Sequence, residues 1–161
     1  MKKLLLAVSA GFSLSMFMAA AAWAGPVLQM RLVTDVAAGD CDCDDMAVVQ
    51  KNGDTSQKES LHVLHKVWID QTDLKSAQVE TNSFGHPQIA ITLNTNGMKH
   101  FAEVTRNNIG KRMAIIVDGQ LYSAPAIRSE ISSGEAMISG NFTSEEAKEL
   151  ATKLNEAVKN K

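Results

Sequence analysis

The sequence predicts an α+β fold: a mainly antiparallel or mixed β-sheet with two amphipathic helices packed on one face. Three observations lead to this prediction. Apolar and polar residues alternate over residues 28–33, a β-branched run fills residues 88–93, and the apolar period lengthens after Asn94 and again after Thr143. A period of two is typical of half-buried strands, whereas a period of 3.6 is typical of amphipathic helices. Two helices with one apolar stripe each bury those stripes by packing on a sheet.

Between these landmarks the chain has further strand patterns and one clear hairpin. The hairpin is predicted at Asp118-Gly119, because Asp-Gly between apolar runs suits a turn in which both central residues take positive φ angles. The other turns are expected at residues 83–87 and 133–134, which are rich in Gly, Pro and Ser. The strands are predicted at residues 28–33, 62–68, 73–81 (centred on 77–79), 88–93, 113–117, 121–122 and 136–139.

Both helices have recognisable N-terminal caps. Asn94 is a good N-cap residue for the first helix. Residues 143–146, Thr-Ser-Glu-Glu, fit a capping box, in which the first and last side chains each satisfy a backbone N–H at the other end. The predicted apolar faces consist of Met98, Phe101, Ala102, Thr105 and Ile109 in the first helix, and of Ala147, Leu150, Ala151, Leu154 and Val158 in the second.

The N-terminus is predicted to be a cleavable signal peptide over residues 1–24. Two lysines precede an uncharged apolar stretch that ends in Ala22-Trp23-Ala24, a typical cleavage pattern. The alternative is a retained membrane anchor, because the stretch is about as long as a minimal spanning helix. We favour cleavage, which predicts a periplasmic protein, not bound to the membrane, with one domain over residues 25–161. Within this domain, residues 35–65 are interpreted as a variable surface excursion with a hairpin.

Charge excludes some classes of function. Without residues 1–24, the chain has 14 Lys and Arg against 18 Asp and Glu, a net charge of −4. There is no basic block of the kind that binds nucleic acid, and no second apolar stretch long enough to span a membrane. We therefore expect neither a nucleic-acid partner nor a membrane partner.

The two cysteines lie in an acidic segment, which leaves several interpretations open. Cys41 and Cys43 are expected to form a small local disulfide in an oxidising compartment, provided that a turn brings them together. A metal site with Asp40, Cys41, Cys43 and Asp45 is a weak alternative, because two cysteines at this spacing are too few for a closed zinc site. A redox role is disfavoured, since neighbouring carboxylates raise a thiol pKa. No cofactor is expected.

A search for catalytic residues finds no constellation in the sequence. Ser123 and Ser139 lack a neighbouring base or an elbow motif. His62 and His65 are predicted to point to opposite faces of a strand and so not to form a pair. The pair Glu145-Glu146 is explained by capping. We therefore do not expect an enzyme.

Much of the chain matches one known protein family in the order and spacing of its residues. The matching residues are 91–93, Gly97, 101–106, 108–119, 123–127, Gly134 and 138–147, with weaker upstream matches at 28–33 and 73–77. In these residues the chain resembles the head of the first periplasmic domain of the SecD protein-export membrane protein. Residues 35–65, which contain the cysteines, are left unmatched. This head alone is expected to have the shape of the family's head without its proton-driven transport, which belongs to segments that the match does not include.

The resemblance implies a non-catalytic accessory module that contacts unfolded or exported polypeptide, or components of the Sec translocon. Candidate polypeptide-binding residues are Tyr122, Pro125 and Ile127, which lie in a segment more apolar than a plain connection needs. Strand addition at a sheet edge is one way to bind extended polypeptide. The alternative for Ile127 is that it closes the core. The alternative function is a metal-binding, ligand-binding or redox-responsive protein that uses residues 39–45.

Overall fold

The computed structural model describes residues 26–36, 39–48 and 59–160 of the protein. The segment assigned to the signal peptide, residues 1–24, lies outside the described residues. Over the described residues the chain forms strands β1 (Leu28–Thr34), β2 (Cys43–Ala47), β3 (Ser60–Asp70), β4 (Leu74–Thr81), β5 (Pro87–Leu93), β6 (Met113–Val117), β7 (Gln120–Ser123) and β8 (Glu135–Ile138), and helices α1 (Thr95–Asn107) and α2 (Ser144–Lys159).

The predicted α+β class is confirmed, and the strands are divided between two sheets. The first sheet has the order β2-β3-β1-β6-β7 and the second the order β4-β5-β8. Neighbouring strands within these sheets are antiparallel. Helix α2 packs on β4 and β5, and α1 lies against β3 and β5. Both helices contribute buried residues to the core that the two sheets share.

Strand β6 of the first sheet is buried on both faces, which explains its unbroken apolar run. Every residue of β6 is buried. Met113, Ile115 and Val117 face the main core, whereas Ala114 and Ile116 face a second, smaller apolar cluster. The sheet curls around this smaller cluster. A continuous apolar strand is the pattern expected when neither face meets water.

Both predicted helix caps are confirmed. The Asn94 side chain accepts hydrogen bonds from the N–H groups of Asn96 and Gly97, each at 3.0 Å. In α2, the Glu146 N–H donates to the Thr143 hydroxyl at 3.2 Å, and the Thr143 N–H donates to the Glu146 carboxylate at 3.0 Å. No helix among the described residues is both long and apolar enough to cross a bilayer.

The described part of residues 35–65 is more than a surface excursion. The expected hairpin is present: β2 and β3 pair in antiparallel fashion, with Asp45 opposite His62. Leu61 and Val63 are buried in the smaller apolar cluster, against which Met46 also packs. This hairpin therefore forms one side of the first sheet, and that part of the prediction needs correction.

Candidate functional site

The structure places the three candidate polypeptide-binding residues in different environments. Ile127 is only 4% exposed and belongs to the main core, as its alternative interpretation held. Pro125 is exposed and lines an apolar groove. Tyr122 is half-buried and stacks on Phe142, with ring centroids 5.3 Å apart. The sequence pattern thus grouped residues that belong to the core, to a groove and to a second cavity.

The groove extends from the segment that follows β7 along the second sheet, where residues of β8, β5 and β4 line it. Its volume is about 690 Å³. Met30, Met113 and Ile115 of the first sheet line it with core side chains, and exposed residues of the second sheet and of the loop segments complete the lining. The remaining lining residues are Gln78, Glu80, Ala90, Ile91, Thr92, Phe101, Thr105, Pro125, Ala126, Ile127, Ile131, Ser133, Glu135, Ala136, Met137 and Ser139.

One edge of the second sheet is covered by a helix side chain. Asn155 of α2 accepts a hydrogen bond from the Ala77 N–H at 2.9 Å and donates one to the Ala77 carbonyl at 2.8 Å. These two groups point away from β5, at the outer side of β4. Unpaired backbone groups on an edge strand attract other chains. Asn155 therefore occupies β4 at the position where another strand would pair.

The two edges of the first sheet meet each other. Val48, immediately after β2, forms an isolated parallel bridge with Leu121 of β7. Both side chains pack in the smaller apolar cluster. At this point the two edges of the first sheet pair with each other, so fewer of their backbone groups are left unpaired.

The outer edge of the second sheet at β8 is open. The Leu93 N–H donates to the Gly134 carbonyl at 2.8 Å. Because antiparallel bonds alternate every second residue, Ala136 and Ile138 direct their backbone groups towards β5, and Met137 directs its own outwards. No described strand lies beyond β8. Met137 is 43% exposed and lines the groove, so an unpaired strand edge borders an apolar depression.

A second cavity, of about 340 Å³, lies at the stacked pair Tyr122 and Phe142. Lys153 and Asp118 form an ion pair across it. The Asp118 carboxylate accepts a hydrogen bond from Lys153 and raises the pKa of that lysine above its ordinary value. The other residues that line this cavity are Gln120, Glu146, Glu149 and Leu150.

Comparison with known proteins identifies the family. The family model described as "SecDF, P1 head subdomain" matches residues 46–157. The chain belongs to the SecDF P1 head subdomain family. The resemblance seen in the sequence is confirmed, and the match also includes residues 46–65, which the motifs had left outside it.

Relatives of this head subdomain are much longer proteins. The protein translocase subunit SecDF of Thermus thermophilus is 37% identical over 134 residues, which cover 80% of this chain and 18% of that protein. The protein translocase subunit SecD of Calditerrivibrio nitroreducens is 50% identical over 82 residues, covering 50% of this chain and 16% of that protein. The chain thus spans only a small part of these curated relatives.

Solved structures support the same assignment. A crystal structure of SecDF in a super-membrane-facing form has a TM-score of 0.65 and 32% identity, covering 80% of this chain and 18% of that one. A structure described as that of a membrane component SecDF that enhances protein export has a TM-score of 0.62 and 33% identity, covering 80% of this chain and 61% of that one.

The acidic segment of this head subdomain is organised by histidines. His65 forms hydrogen bonds to Asp42 at 2.5 Å and to Asp44 at 2.9 Å, and His62 contacts Asp45. The hydrogen bonds to Asp44 and then to Asp42 raise the pKa of His65 above its ordinary value. The guanidinium of Arg31, followed by His65, lowers the pKa of Asp44. Each histidine therefore faces carboxylates of the neighbouring strand or turn, which the sequence did not predict.

The candidate cysteine and metal residues are placed as follows. The Cα atoms of Cys41 and Cys43 lie 5.4 Å apart, within disulfide reach, and the sulfur atoms face each other. The disulfide stays a prediction, which a titration of free thiols would test. Asp40 lies in the exposed turn before them, and Asp45 faces His62. Among the described residues no three His, Cys, Asp or Glu side chains are grouped to hold a metal ion, so the metal alternative gains no support.

Three residues of the candidate site were missed from the sequence. Phe142 stands just before the capping box, where an apolar residue is a recognised signal for packing at a helix entry. Met137 lies in a strand of only four residues, and its exposure follows from the sheet order. Asn155 had no local signal, because its partner Ala77 is 78 positions away in the sequence.

Proposed function

We propose that this head subdomain is a non-catalytic periplasmic module of protein export that binds extended polypeptide along the open edge of β8. The observation that carries the proposal is the coincidence of an unpaired strand edge, at Met137, with an apolar groove lined by Pro125 and Met113. Strand addition uses both features: the edge offers backbone hydrogen bonds, and the groove receives alternate side chains.

The family supports the process in which the module acts. Its relatives are named protein translocase subunits, and one related structure is described as a membrane component that enhances protein export. An unfolded exported chain displays apolar side chains and unpaired backbone groups. The β8 groove provides contacts for both without requiring a particular sequence. Sec translocon components are the second kind of partner, and they would be distinguished by what is captured.

The first experiment compares two proline substitutions on opposite edges of the same sheet. Met137→Pro removes an outward N–H of β8, whereas Val79→Pro changes β4 at a residue that is also turned away from β5. A labelled apolar peptide is titrated and its Kd is measured by fluorescence anisotropy. Loss of one backbone hydrogen bond, worth about 1.4 kcal/mol, weakens binding by about tenfold. Val79→Pro is expected to bind within about twofold of the unmodified protein.

Photo-crosslinking in cells provides a second readout that does not require proline to be tolerated. A photoreactive residue is placed at position 137, with a control at position 79. Crosslinks to several exported proteins from 137, and few from 79, support polypeptide binding. Crosslinks confined to translocon subunits favour docking to the machinery. Equal labelling at both positions, together with equal peptide affinity of the two proline variants, would refute the β8 edge as the binding site.

A further inference from the structure

The walls of the groove and of the second cavity are acidic. Glu80 and Glu135 line the groove, and none of the described residues that line it is Lys or Arg. The second cavity is lined by three more carboxylates and by one cation, Lys153; the carboxylates belong to Asp118, Glu146 and Glu149. This charge favours a positively charged ligand and disfavours an acidic one.

The second cavity lies close to one end of the groove. Tyr122 and Phe142 belong to two chain segments that contact each other through their stacked rings. Pro125, three residues after Tyr122, and Ser139, three residues before Phe142, both line the groove. A polypeptide that pairs with β8 therefore passes near the aromatic cavity where these segments meet.

The cavity suits a cationic side chain. Aromatic rings attract ammonium and guanidinium groups through the negative faces of their π systems. Two of the cavity's carboxylates already accept hydrogen bonds: Asp118 pairs with Lys153, and Glu146 belongs to the capping box. The third, Glu149, acts on Lys153 only through its charge. It is exposed on the first half of α2 at the cavity and can pair with an incoming cation.

We propose that the cavity at Tyr122, Phe142 and Glu149 holds a lysine or arginine side chain of the bound polypeptide. This inference rests on the proposed function, since it names which extended chains the groove prefers: apolar segments that carry a basic residue. The aromatic rings receive the aliphatic stem, and Glu149 pairs with the charged head. An acidic residue at the same peptide position is repelled by the carboxylates.

The test uses three peptides that differ at one position, which is lysine, norleucine or glutamate. Norleucine keeps the stem of lysine and removes the charge. Binding of each peptide to the unmodified protein, to Glu149→Gln and to the matched variant Glu156→Gln is measured by fluorescence anisotropy at low and high salt. Glu156 is exposed on the same helix and does not line the cavity.

We expect the lysine peptide to bind about fivefold more tightly than the norleucine peptide, and the glutamate peptide to bind most weakly. Glu149→Gln should remove most of the preference, and Glu156→Gln should leave it unchanged. Equal affinities for lysine and norleucine, with binding still weakened in Met137→Pro, would overturn the cation site and leave the groove in place. Failure of all three peptides to bind would overturn both proposals.

Discussion

Replacing Asn155 by alanine should destabilise the protein because the buried Ala77 of β4 would lose the hydrogen-bond partner of its backbone N–H and carbonyl groups. Ala77 is 4% exposed, and its N–H and carbonyl bond to the Asn155 side chain at 2.9 and 2.8 Å. Alanine leaves both groups without a partner. A buried polar group that loses its partner costs about 1–3 kcal/mol. Because these bonds are only partly buried, we take the lower half of that range and expect a total loss of about 2 kcal/mol in the free energy of unfolding.

Urea unfolding, followed by circular dichroism, measures this loss, and two variants calibrate it. Asn155→Asp keeps an acceptor for the Ala77 N–H and removes the donor to the carbonyl, so it should show at least half of the loss. Thr152→Ala changes an exposed residue of the same helix and reports the gain in helix propensity that alanine brings. If Asn155→Ala unfolds within about 0.5 kcal/mol of the unmodified protein, the side chain does not protect the β4 edge.

Two further predictions concern other parts of the fold. Gly97→Ala would place a Cβ atom 2.5 Å from the Asp73 carbonyl oxygen, so α1 must shift. We expect the free energy of unfolding, measured in urea, to fall by about 1–3 kcal/mol, whereas Glu103→Ala on the exposed face of α1 should leave it nearly unchanged. An unchanged stability of Gly97→Ala would contradict the close packing. The raised pKa of His65 means that its bonds to Asp44 and Asp42 stabilise the fold below the ordinary histidine pKa and lose this effect as pH rises through the folded value. The imidazole titration followed by NMR should therefore move to lower pH in Asp44→Asn, and an unmoved titration would show that Asp44 does not hold the proton.

Local signals in the sequence were sufficient for the caps and for one turn. The Asp118-Gly119 hairpin has the predicted positive φ angles, 54° and 75°. The capping box and the Asn94 cap also act through residues within three positions of each other, so their chemistry is visible in a short window. The apolar stripe of α2 was predicted for the same reason, since Ala147, Ala151 and Leu154 are all buried.

The predictions that failed depend on contacts that are distant in the sequence. The apolar face of α1 was predicted correctly at Phe101 and Thr105, which are buried. Met98 and Ile109, predicted on the same face, are 37% and 57% exposed, whereas Gly97 and Val104 are buried. Gly97 has no side chain whose polarity could indicate burial. It is buried because α1 approaches the backbone of Asp73 closely at this position. The division into two sheets was missed because strand periodicity gives the faces of a strand but not its neighbours.

An unpaired edge alone does not make a binding site in this fold, and the two edges of the second sheet show why. Removing the Asn155 side chain would free the Ala77 backbone groups, but helix α2 packs over β4 and Ala77 itself does not line the groove. At β8 the free backbone of Met137 adjoins a groove of about 690 Å³. Polypeptide binding by strand addition needs backbone partners and room for side chains together. Asn155→Ala should therefore lose stability without gaining a second site for the peptide.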